Sequence, residues 1–275
     1  MTDTHRASGE RTVFRYSTVE CDGERLSCTV AVPSTDPATD PATPSPPLTA
    51  VLLHGAGTSD SARLTGLLTD FAARGHHALA FDFSGHGDSS GRLGELSLQR
   101  RFTQAKAVID HHAGPGHRLA PIGFSMSGQT VADLVTHYGS RVTAIGLCAP
   151  AVYAAQAWSV PFAAGFTGII RTPDSWRRSS ALDVFRSLAT RSVLVTPGTD
   201  AVIPPAVTEA VAAALGASRS HHTRLVHHEA DHRLGLWFAD HAVPRRRFVD
   251  TVLRGTPYET ARTTRPETAH DVRFR

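Results

Sequence analysis

From residue 50 onward the chain alternates between two hydrophobic rhythms. Residues 50–53, 77–83, 118–123, 142–148, 192–196 and 222–227 are short apolar runs of the kind that form buried parallel strands. The stretches between them repeat apolar positions at helical spacing. Leu64, Leu67, Leu68, Phe71 and Ala72 share one face, with Ser59 or Asp60 placed to cap the helix and Gly75 to end it. Leu98, Phe102, Ala105 and Ile109 mark a second helix that closes at Gly114-Pro115. Residues 126–138, 204–215 and 234–254 continue the series. Such strand–helix repetition predicts an α/β fold, a mostly parallel sheet covered on both faces. Right-handed crossovers then gather the loops that follow the strands along one edge, where ligands bind in sheets of this kind.

Three regions break the rhythm. Residues 11–32 read as two further strands, and residues 33–48 (PSTDPATDPATPSPPL) as a mobile hairpin loop, since proline cannot pair inside a sheet. Residues 150–190 interrupt the alternation and read as a small lid inserted into a core made of 1–149 and 191–255. Residues 256–275 form a polar tail. Within the lid, Pro161 suits a helix start, and Phe162, Phe166, Ile169 and Ile170 follow at spacings that share one face. Trp158, Phe162, Phe166 and Ile170 are the candidate substrate-binding residues, facing an apolar acyl or aromatic group. The alternative is that this stripe packs the lid onto the sheet. No charged residue occurs between Ala149 and Ile170, which leaves Arg171 as the nearest partner for an anionic substrate.

Composition narrows the classes. With 41% hydrophobic and 19% charged residues, the 275-residue chain can bury a large core unaided. The formal net charge is +3 and no basic stripe stands out; Arg245, Arg246 and Arg247 read as a solvated face, against nucleic-acid binding. No run approaches the roughly eighteen apolar residues of a membrane span, and the first residues lack a signal-peptide pattern. Three cysteines, Cys21, Cys28 and Cys148, do not suggest a disulfide framework. A cytoplasmic location is expected. The sixteen histidines include adjacent pairs such as His76–His77 and His227–His228, whose side chains diverge, so no metal is expected.

The chemistry lies just after the strands. Residues 121–128 (PIGFSMSG) carry a serine with small residues two before and two after it, Gly123 and Ser127. That spacing lets a strand turn sharply into a helix and leaves Ser125 exposed on a strained elbow. Centring the turn on Ser127 would put the bulky Gln129 at a small position, so Ser125 is the nucleophile candidate. A serine hydroxyl needs a base, and the base needs a carboxylate that fixes its tautomer. In chain order, Asp200 follows strand 192–196 and His232 follows strand 222–227. Glu229 and Asp231 sit too near His232 in sequence to reach it from the usual side, and Asp183 precedes its strand. The amides of Met126, after the nucleophile, and of Ala56, in the glycine-rich HGAG segment, are the candidate oxyanion donors.

Taken in order, HGAG, FDFSGHGDSSG, GFSMSG, PGTDAVIP and EADHR resemble the α/β-hydrolase superfamily, most closely its serine aminopeptidase-like and acylglycerol-lipase-like branch, over about residues 50–250. The resemblance implies an eight-stranded, mostly parallel sheet with a small helical lid, no metal and no organic cofactor. It also implies that SGHGDSSG is a structural turn, so His86 and Asp88 take no catalytic role. Ser127 departs from the glycine usual in the elbow. The expected function is a serine hydrolase acting on a carboxylic ester, thioester or amide of a small-molecule acyl substrate. Acyl transfer or lactone formation by the same residues, and a non-catalytic binding protein on this fold, are the alternatives.

Overall fold

A computed structural model of the chain describes residues 12–34 and 48–254. The proline-rich stretch and the polar tail lie almost wholly outside them. An eight-stranded sheet carries the fold: β1 (Thr12–Cys21), β2 (Glu24–Pro33), β3 (Leu48–Leu53), β4 (His77–Phe81), β5 (Arg118–Phe124), β6 (Ala144–Cys148), β7 (Arg191–Thr199) and β8 (His222–Asp231). Their spatial order is β1-β2-β4-β3-β5-β6-β7-β8. The β1–β2 and β2–β4 pairs are antiparallel and all the others are parallel. Asp22 and Gly23, both at positive φ, make the tight β1–β2 turn, as two-residue hairpins favour. The connection from β2 to β3 is not a hairpin, contrary to the expectation, because β4 lies between those strands.

Alternation along the buried strands divides the core. Ala50, Leu52, Ala78, Ala80, Ala120, Ile122, Val193 and Val195 face α1 (Thr65–Ala72) and α8 (Ala242–Leu253). Val51, Leu53, Leu79, Phe81, Ile145, Leu147 and Leu194 face α2 (Leu98–His112), α3 (Ser127–Tyr138), α5 (Ser180–Arg186) and α6 (Pro205–Gly216). The inward stripe of α2 is Leu98, Arg101, Ala105, Val108 and Ile109, all fully buried; Phe102 sits at its edge.

The segment expected as one helix, 234–254, is two: α7 (Leu234–Asp240) and α8, broken at His241 (φ −118°, ψ 79°). Pro244 explains the break, since it has no N–H for the carbonyl of Asp240 and its ring would collide with that carbonyl. Nor is the arginine triplet a uniformly solvated face. Arg245 is largely buried and its Nε donates to Asp70 at 2.7 Å, tying α8 to α1.

The inserted segment is short turns and one brief helix, α4 (Thr167–Ile170), followed by α5. Gly165 at φ 97° interrupts the helical stripe expected from Phe162 onward. Ala181, Leu182 and Phe185 of α5 are buried in the main core, so that helix packs with the sheet layer. No helix among the described residues is long and apolar enough to cross a membrane.

Candidate active site

At the carboxyl end of β5 the chain reverses sharply into α3, and Ser125 occupies the corner with φ 51°. This left-handed conformation is strained for a side-chain-bearing residue and persists because its surroundings enforce it. Ser125 N–H donates to the Cys148 carbonyl at 2.9 Å, and its own carbonyl accepts from Gly128 and Ala151 at 2.9 Å each. Gly123 is obligatory here: a Cβ would lie 2.5 Å from the Ser127 carbonyl oxygen. Gly128 is equally constrained, since a Cβ would lie 2.7 Å from Pro150 Cβ.

His232 immediately follows β8 and Asp200 immediately follows β7. His232 Nε2 is 2.9 Å from Ser125 Oγ, and His232 Nδ1 is 3.0 Å from Asp200 Oδ2. Both are within hydrogen-bonding distance. The other oxygen of Asp200 accepts from the Val202 and Ile203 amides at 2.8 and 2.9 Å, which fixes the carboxylate plane. Of the competing acids, Asp231 pairs with Arg233 and Asp183 with Arg186.

The Ala56 and Met126 amides border the same cleft as Ser125 and donate to no group among the described residues. Gly55 lets the loop bearing Ala56 approach: a Cβ there would sit 3.3 Å from Ser125 Cβ. His54 sets the orientation of that loop. Its Nε2 accepts from the Phe83 amide at 3.1 Å, so its proton is on Nδ1, which donates to the Gly55 carbonyl at 2.6 Å. A trans peptide points its N–H away from its C=O, so turning the Gly55 carbonyl inward turns the Ala56 N–H outward. Burial and the neighbouring Arg101 cation hold the His54 pKa well below the usual imidazole range, in keeping with a neutral ring.

His86 and Asp88 lie in a structural turn. The Asp82 carboxylate accepts from the amides of Ser61 at 2.7 Å and Asp88 at 3.0 Å, and buried His86 meets the Ser84 carbonyl through Nδ1. Among the described residues no group of three or more His, Cys, Asp or Glu is placed to hold a metal ion.

The expected substrate stripe divides. Ile170 lines a cleft of about 780 Å³ beside Ser125, together with Ala151, Val152, Trp176, Ile203 and Val207. Phe162, Phe166 and Trp158 do not line it; they pack the inserted segment, with Phe166 buried against Leu98 and Met126. Arg171 and Asp174 stand at the margin of this cleft. A smaller hollow of about 130 Å³ opens on the other side of Ser125 and His232, lined in part by Arg63, Leu64 and Arg233.

Polar groups on α3 tether the inserted segment. Trp158 Nε1 donates to Asp133 Oδ2 at 3.1 Å, and Gln129 binds Asp133 Oδ1, the Tyr153 amide and the Ser179 hydroxyl. Asp133 has no cation at ion-pair distance among the described residues, and burial pushes its carboxyl from 3.8 up to about 6. The folded state therefore holds this proton to higher pH than the unfolded chain does. Stability contributed at Asp133 is greatest in acid and declines as the pH rises from about 4 to about 6. In denaturant unfolding across pH, the stability of Asp133→Asn relative to wild type should rise by on the order of 3 kcal/mol over that interval and be constant above it. A difference independent of pH would contradict this reading.

Sequence reasoning missed Arg101, Gln129 and Asp133. The available signal was an arginine at an apolar-face position of α2, three residues after Leu98 and four before Ala105. Nothing in the periodicity pointed to Gln129 or Asp133, whose partners come from the irregular inserted segment.

An open, mostly parallel eight-stranded sheet, with Ser125 on a strand-to-helix elbow and Asp200 and His232 at later strand ends, gives the chain the α/β-hydrolase fold. Residues 44–172 match the family model for serine aminopeptidase, S33. Solved structures share the fold at low identity. The thioesterase domain from the curacin biosynthetic pathway has a TM-score of 0.63 at 13% identity, over 86% of this chain and 99% of that one. A putative hydrolase from Agrobacterium vitis S4 has 0.62 at 20%, over 88% and 99%. An esterase from Pyrococcus furiosus has 0.61 at 15%, over 92% and 94%. No curated protein matches the sequence.

Proposed function

We propose that the chain is a serine hydrolase that cleaves a carboxylic ester or thioester through an acyl-serine intermediate. The observation that carries this is the continuous hydrogen-bonded path from Ser125 through His232 to Asp200 beside two undonated amides. In the first half-reaction His232 Nε2 takes the hydroxyl proton as Ser125 Oγ attacks the acyl carbon. Asp200 stabilises the resulting imidazolium, and the Ala56 and Met126 amides receive the negative charge that develops on the carbonyl oxygen. His232 then returns its proton to the departing alcohol or thiol. In the second half, water loses a proton to the same nitrogen as its oxygen attacks the acyl carbon; the bond from that carbon to Ser125 Oγ then breaks, His232 returns the proton to Oγ, and the acid leaves.

The larger cleft suits the acyl group. Its walls near Ser125 are mainly apolar, and its volume falls in the range of small-molecule sites. Medium apolar acyl chains are therefore preferred over acetyl. Each added methylene that becomes buried strengthens binding by up to about 0.8 kcal/mol, so kcat/KM should rise by up to about fourfold per methylene until the cleft is filled. Ile170→Ala should lower kcat/KM for octanoyl esters more than for acetyl esters. A flat chain-length profile in both proteins would remove the apolar acyl group from the proposal.

The buried cysteines Cys21, Cys28 and Cys148 are all free thiols, which fits a reducing, cytoplasmic setting. Assay of an ester panel with and without alcohol acceptors tests the reaction type. Released acid supports hydrolysis. Exclusive formation of the transferred ester would reassign the chain to acyl transfer, and absence of both reaction and covalent labelling would make it a binding protein.

A further inference from the structure

Arg101 is fully buried and has no carboxylate partner among the described residues. Burial pulls its pKa down to about 9, so it remains a cation at neutral pH. Its Nε and Nη1 have no hydrogen-bond partner among the described residues, and its guanidinium carbon lies 3.6 Å from the centre of the Phe83 ring. The remaining nitrogen, Nη2, donates to the His54 carbonyl at 2.7 Å and to Ser127 Oγ at 2.8 Å. Ser127 Oγ in turn donates to the same His54 carbonyl at 2.6 Å. The three groups close a triangle. One corner lies two residues before Ala56 and another lies one residue after Met126. The serine that departs from the usual elbow glycine thus both donates and accepts in this triangle.

We infer that Arg101 is a positioning residue for the oxyanion-binding amides: it locks the loop carrying Ala56 to the elbow carrying Met126 and so holds the two donors at a set separation. The inference rests on the acyl-serine reading of this site. A buried, unpaired cation is poorly placed for stability, and an apolar side chain of similar length would fill the space without desolvating a charge. Groups that break a folding rule without local compensation are expected at functional sites. With Arg101 removed, the Ser127 hydroxyl still reaches the His54 carbonyl, so no acceptor is stranded; only the rigid link is lost.

The test compares wild type, Ser125→Ala, Arg101→Met, Arg101→Lys and Ser127→Ala by thermal melting, by kcat and KM on one ester, and by the rate of fluorophosphonate labelling. A donor that acts only on the developing oxyanion affects kcat and not KM. Arg101→Met should melt at or above the wild-type temperature while kcat and labelling rate fall about 10- to 100-fold, with KM within about threefold. Arg101→Lys, which keeps the charge on a shorter stem, should lie between the two. A lower melting temperature with kcat of the folded protein within about threefold of wild type would make Arg101 structural and overturn the inference. If Arg101→Met does not fold, Ser127→Ala carries the decision: a fall in kcat of about three- to fivefold at constant KM supports the link, and an unchanged kcat overturns it. The two readings fail separately. Unlabelled wild type, or Ser125→Ala as active as wild type, overturns the acyl-serine chemistry itself; labelled wild type with an unaffected Arg101→Met overturns only the role of Arg101.

Discussion

Replacing Ser125 with alanine should reduce ester hydrolysis by about five to six orders of magnitude in kcat and abolish fluorophosphonate labelling, leaving the melting temperature close to wild type. The proposed reaction has no other route to an acyl-enzyme: the second serine on the elbow, Ser127, is completely buried and committed to the His54 carbonyl. Relief of the positive φ is modest because alanine also carries a Cβ, so stability changes little. The rate that survives comes from the Ala56 and Met126 amides and from binding, which still favour attack by water. Steady-state kinetics with purified protein, checked for contaminating esterase by active-site titration, measures the effect. A Ser125→Ala variant within tenfold of wild type would end the acyl-serine reading.

Asp200→Asn should cost about 10⁴-fold in kcat with the site still assembled, and the structure says why the damage is so large. One oxygen of Asp200 receives two backbone N–H groups, from Val202 and Ile203. Asparagine must keep its own oxygen there, because an NH2 group would face two donors. Its NH2 then points at His232 Nδ1, which can only accept. The imidazole proton moves to Nε2, the nitrogen 2.9 Å from Ser125 Oγ, and that nitrogen can no longer take the serine proton. Asp200→Ala leaves the tautomer free and should lose less activity than Asp200→Asn. Near-equal rates for the two variants would show that tautomer control is not what Asp200 supplies.

The order of strands and helices was legible because buried parallel strands are continuous apolar runs and the helices between them are amphipathic. The same logic located Ser125, Asp200 and His232, since each stands at a strand's carboxyl end and the side-chain types are restrictive. Irregular backbone was less readable. Pro161 and the aromatic spacing after it suggested one helix, but Gly165 at positive φ ends the first turn there, so Phe162 and Phe166 pack the segment while Ile170 alone of the expected residues borders the cleft. His241 breaks the last helix although apolar spacing continues through it, because periodicity records which side faces the core and not whether the chain is continuous. Arg101 was hidden for a different reason: a pattern of apolar positions treats an inward arginine as an interruption, and only the three-dimensional neighbourhood shows what it holds.

The point of covalent attachment tests the central claim most directly. Wild-type protein treated with a fluorophosphonate, digested and sequenced by mass spectrometry yields a peptide containing both Ser125 and Ser127, and fragmentation between Met126 and Ser127 separates them. The proposed mechanism predicts one adduct per chain, carried by Ser125 and absent when His232 is replaced by alanine. An adduct on Ser127, or an undiminished Ser125 adduct without His232, would contradict it.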